Sequence, residues 1–162
     1  MSKLTTQDKI KKMQTNIKSA QSIFALSGIL AIIYIVRYFT TGNFNFYFSS
    51  YITEFALKAA DENVFTTVSL SATAAYCILA VYAVIFLLCC VLCLKTKFGL
   101  WTCLVLHLAD YAALIVGTAL SVFGPFREEI LIDVIVHFFV LLFIVVGIYA
   151  TYKLPKLESE KE

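Results

Sequence analysis

Residues 130–152 read ILIDVIVHFFVLLFIVVGIYATY, and Asp133 alone among them carries a full charge. A soluble domain cannot hide such a run and still offer water a wettable face. At 1.5 Å per residue the run reaches about 34 Å, enough to cross a hydrocarbon core of ~30 Å. Its apolar residues do not alternate with polar ones, as the strands of a membrane barrel would require. The segment is therefore predicted to be a helix, with its backbone polar groups satisfied internally.

Three more runs of the same kind lie upstream, at about Ser22–Phe39, Val68–Leu94 and Gly99–Phe123. The predicted fold is an all-α integral membrane protein, a single membrane domain over 1–162 with four transmembrane helices at 22–39, 68–94, 99–123 and 130–152. Composition agrees: 60% of the 162 residues are hydrophobic and 15% charged, where a soluble chain sits near 45–50% and about 25%. A net charge of +2 is too small for tracking phosphates, which excludes nucleic acid as a partner. The lipid bilayer is the expected surrounding.

Ten of the 13 Lys and Arg residues fall on one side of this topology. They are Lys3, Lys9, Lys11, Lys12 and Lys18 in the arm 1–21, Lys95 and Lys97 in the second connection, and Lys153, Lys156 and Lys161 in the tail 153–162. Arg37, Lys58 and Arg127 fall on the other side. Basic residues favour the inner side, so a multi-pass protein of the plasma (cytoplasmic) membrane with both termini cytoplasmic is expected. The arm is too polar, and the run after it too long, for a cleaved signal peptide.

Ile10, Met13, Ile17 and Ala20 lie at spacings of three and four opposite the arm's lysines. That pattern predicts an N-terminal amphipathic surface helix on anionic lipid; the competing reading is an extension of the first span into water. In the first loop, Phe48, Ile52, Phe55, Ala56 and Ala59 repeat at helical spacing. A short outer-face helix over Ser50–Asp61 is expected, lying on the lipid or tucked among the spans. Gly124 and Pro125 mark a tight turn between spans three and four, making those two antiparallel neighbours.

Ionisable residues inside a membrane are costly and point to the bundle interior. Four qualify: His107 and Asp110 in the third span, Asp133 and His137 in the fourth. Each pair shares a helix face. The stripes continue as Cys103, His107, Asp110, Leu114, Gly117, Ser121 and as Asp133, His137, Val140, Ile144, Gly147, Thr151. Both are predicted to face inward. Ala109, Ala113, Gly117 and Ser121 form a ridge of small residues suited to close helix packing.

When the span centres are aligned, Asp110 and His137 stand roughly 8 Å apart in depth, and His107 and His137 roughly 13 Å. The first pair then suits a proton relay with His107 below it; the alternative is an interhelical polar cluster acting as glue. The spread argues against a single metal ion or a bis-histidine haem. Arg37 and Asp133 come near the outer boundary together, as an ion pair or as two side chains that each reach the headgroups.

The five cysteines crowd one end of the spans, except Cys77, and read as small packing residues. No nucleotide loop, metalloprotease motif or aqueous triad is present, so neither catalysis nor a cofactor is expected. The leading functional expectation is a non-catalytic accessory subunit, working through a membrane-protein partner or self-association. The alternative is a small oligomeric proton-linked transporter or ion conduit built on the His/Asp residues.

Overall fold

The computed structural model describes residues 5–41, 50–61, 70–96, 98–120, 122–123 and 128–160. Five helices occupy them: α1 (Thr6–Thr41), α2 (Tyr51–Ala60), α3 (Ala72–Lys95), α4 (Gly99–Ala119) and α5 (Glu128–Ser159). There is no strand among the described residues. Four of the helices are long and apolar enough to cross a membrane. Their outward faces carry large apolar side chains, such as Ile29 and Val36 on α1, Leu88 on α3 and Phe138 on α5. Such faces suit lipid, and the chain is a multi-pass membrane protein.

The arm and the first span turn out to be one helix, which corrects the expectation of a separate surface helix. At 36 residues, α1 is about 54 Å long. The half-buried Ile10, Met13 and Ile17 run in register into the buried Ala20, Phe24, Gly28, Ala31 and Tyr34. With no glycine or proline before Gly28, nothing breaks that stripe where the membrane begins. It packs along α5, and these two helices share the most extensive interface in the fold.

Gly147 allows the approach: a Cβ there would stand 2.5 Å from that of Ala20 and 3.0 Å from Leu100 Cδ1. The expected tail is helical as well. α5 continues through Pro155 to Ser159 and buries Leu157 beyond it.

The third span ends earlier than predicted. α4 stops at Ala119, and the Gly117 carbonyl accepts from Val122 N at 2.8 Å and Phe123 N at 3.4 Å. The chain thus doubles back and lays the Phe123 ring over Gly117. Three cysteines, Cys89, Cys93 and Cys103, are buried in the apolar core with Phe24 and Ile144. Cys77 is exposed on α3 rather than packed.

α2 has no fully exposed residue. It buries Tyr51, Thr53, Ala56, Leu57 and Ala59 and packs against α3 and α4. Its place is among the spans and not on the outer face. At ten residues it is about 15 Å long, half a membrane core.

Candidate functional site

Asp110 lies eleven residues from the α4 start at Gly99 and nine from its end at Ala119, so it stands at mid-helix. Its carboxylate meets the beginning of α2. Oδ1 accepts from Ser50 Oγ at 2.5 Å and from Ile52 N at 3.0 Å. Ser50 is the N-cap residue of α2, yet its hydroxyl makes no capping bond within that helix. Asp110 takes the role instead, from a residue 60 positions away. The first amides of a helix have no intrahelical acceptor and carry the positive end of its dipole. Inside a membrane no water can supply the missing acceptor.

The second carboxylate oxygen faces α5. Asp110 Oδ2 and His137 Nε2 are 3.4 Å apart. His107, one turn along α4, donates from Nε2 to the His137 carbonyl at 2.9 Å. The two imidazoles stack, with centroids 5.5 Å apart and planes 17° from parallel. Tyr51 covers the other side of the centre, its ring 4.6 Å from that of His137. Tyr111 meets His107 edge-on and donates its hydroxyl to the Val134 carbonyl at 3.3 Å.

His107, Asp110 and His137 are all buried, and the stripes of α4 and α5 face inward as far as they are described. On α4 this covers Cys103, Leu114 and Gly117, and on α5 Val140, Ile144 and Gly147. The predicted depth offset does not hold. Leu100 packs beside Gly147; ten residues further along α4 lies Asp110, and ten residues back along α5 lies His137. The two side chains therefore stand level. The span centres do not coincide because α4 begins beside Gly147 and ends at Ala119, while the apolar stretch of α5 continues to Tyr152.

Of the remaining predicted residues, those that are described do not join this centre. The side chain of Asp133 lies outside the described residues, and with it the proposed pair with Arg37, which sits on the exposed face of α1. The small-residue ridge is divided: Ala109 is exposed, Ala113 half-buried, and Gly117 covered by the chain's own Phe123. Ser121 lies outside the described residues. Among the described residues no group of three His, Cys, Asp or Glu side chains is placed to hold a metal ion.

A cavity of about 230 Å³ lies beside the centre. Ser50, His107, Asp110 and His137 form its polar end. Its walls are apolar and aromatic, with Phe24 from α1, Tyr82 and Phe86 from α3, and Phe139 and Phe143 from α5. Ser50, Tyr51 and Tyr82 were not singled out in the sequence. Only the placing of Ser50 at the start of a predicted helix hinted at a role, and nothing there indicated which carboxylate it would meet. No protein-family model, curated protein or solved structure matches the chain.

Proposed function

We infer that this chain is a small, non-catalytic proton-linked transporter or ion conduit of the plasma membrane, with both termini cytoplasmic. The observation that carries this reading is the buried Asp110–His137 contact, at the middle of α4 and on the wall of a cavity. A carboxylate and an imidazole in contact can hold one proton between them. A purely adhesive cluster has no need of a cavity beside it. An accessory subunit draws support from the absence of catalytic motifs, the little aqueous mass and the small-residue ridge, and the last is weakened because Phe123 of the same chain occupies its Gly117.

Proton entry into proteoliposomes tests the reading, with a pH-sensitive dye inside and a potassium diffusion potential as the driving force. The unaltered chain should acidify the interior faster than protein-free vesicles do. Asp110→Asn and His137→Ala should both return the rate to that baseline at equal protein insertion. Baseline rates with the unaltered chain, or full rates with both variants, would overturn it.

A further inference from the structure

We propose that the cavity beside Asp110 binds a compact apolar organic cation, such as a small quaternary ammonium bearing an aromatic ring, in competition with a proton. This deepens the proton-linked reading by giving that same centre a ligand class. Three features of the cavity lead there: the charge of its polar end, the nature of its walls, and its size and access.

Charge comes first. The titratable side chains on the cavity are His107 and Asp110 from α4, His137 from α5 and Tyr82 from α3. α1 contributes only apolar side chains and Ser27, and α2 contributes Ser50 at its N-cap. No Lys or Arg is among the described lining residues. With a proton on the Asp110–His137 pair the centre is neutral; without it, one negative charge is left at the middle of a membrane. Such a charge is expensive unless a positive one joins it. An anionic ligand would be repelled by it, and a neutral one would leave it uncompensated.

The walls suit an apolar cation. Phe24 and Phe86 stack at 4.8 Å with their planes 9° apart, and Tyr82 lies 6.2 Å from Phe86. Aromatic faces attract a cation within about 6 Å, more strongly where water is excluded. They also replace the hydration that a quaternary ammonium holds only weakly. A hard cation such as calcium or magnesium would miss most of the oxygen ligands it requires, whereas an organic cation requires none.

Size and access set the rest. At about 230 Å³ the cavity falls below the roughly 300–1,000 Å³ of drug-sized sites, so its occupant is small. Leu26 and Phe139, which line it, are each 53% exposed on the outer faces of α1 and α5. An apolar cation can therefore approach from the bilayer between those helices. The exchange balances in charge: the protonated pair plus the cation gives the deprotonated pair with the cation bound, and one free proton.

Titration calorimetry on the detergent-purified chain tests this, with benzyltrimethylammonium as the probe and its uncharged carbon analogue, neopentylbenzene, as the control. Affinity for the cation should be higher at about pH 8.5 than at about pH 5.5, falling by up to about tenfold per pH unit where the proton competes. Binding in weak buffer should release a proton, and the neutral analogue should bind at least about tenfold more weakly, as loss of a buried charge pair requires. Asp110→Asn should abolish the preference for the cation. Equal binding of the two probes, binding without proton release, or no binding would overturn the proposal. The two probe comparisons use the unaltered chain, so they decide the matter even if Asp110→Asn does not fold. Because no membrane or gradient is involved, failure here leaves the vesicle experiment standing, and failure there leaves this one standing.

Discussion

Among the described residues, Asp8 and Asp110 each cap a helix, in opposite surroundings. Asp8 caps α1 from within: its Oδ2 accepts from Thr5 N at 3.2 Å and Thr5 Oγ1 at 2.7 Å, while Thr5 Oγ1 accepts from Asp8 N at 3.2 Å. This is a reciprocal capping box closed over three residues, and it is exposed. Asp110 caps α2 from another helix, buried at mid-membrane beside two histidines. Water can stand in for Asp8 but not for Asp110. One set of bonds therefore trims the end of a helix, and the other holds a helix in place within the bundle.

The comparison is broken most severely by Asp110→Ala. It strips α2 of its cap, removes the acceptor of Ser50 and leaves His137 facing an empty site. A loss of about 3–5 kcal/mol is expected, as for one half of a buried charged pair. Chemical unfolding in detergent would measure it, and proteolysis should cut first near α2.

Gly117→Leu comes next. The new side chain must displace the Phe123 ring, which also packs against Tyr51 at 6.1 Å. Overpacking of about 1–3 kcal/mol is expected. If the ridge served self-association instead, the oligomeric size would change while unfolding stayed the same.

Ser50→Ala removes one of the two bonds to Oδ1 and keeps the Ile52 amide. It should cost about 1.5–3 kcal/mol, being a hydrogen bond to a charged group, and proton entry should persist at a reduced rate. An unchanged unfolding midpoint would show that the α2 backbone alone suffices.

The smallest effect belongs to the exposed box. Thr5→Ala should raise hydrogen exchange a few-fold in the first turn of α1 and leave the bundle's unfolding midpoint unchanged. Its hydrogen bonds from Thr5, side chain first and backbone second, hold the Asp8 carboxyl below the ordinary value of 3.8. A carboxyl lowered in the folded state stabilises it above the unfolded pKa, and that contribution fades as pH falls through the lowered value. First-turn protection from exchange, relative to the intrinsic rate at each pH, should thus fall below about pH 4 in the unaltered chain, and that dependence should weaken in Thr5→Ala, which keeps only the backbone bond.

The sequence by itself determined the solvent of this protein and most of its helices. Runs of apolar residues such as 130–152 have one solution in a bilayer, because every backbone polar group in lipid must be bonded within its own segment. It also determined the inward faces of α4 and α5, since helical spacing alone puts His107 with Asp110 and Val140 with His137. The continuity of α1 was not decided there: the spacing of Ile10, Met13 and Ile17 fits a surface helix as well as an extension of the first span, and packing along α5 selects the second.

Only the tertiary structure decided the axial register between helices. Periodicity describes rotation about a helix axis and says nothing of translation along a neighbour. The level meeting of Asp110 and His137 follows from contacts such as Gly147 against Ala20 and Leu100, which lie on three separate helices. The insertion of α2 was likewise beyond local pattern, because an amphipathic ten-residue helix can bury its apolar face in lipid or in protein. What holds it inside is the carboxylate of Asp110, 60 residues away, which accepts from the start of that helix where water cannot.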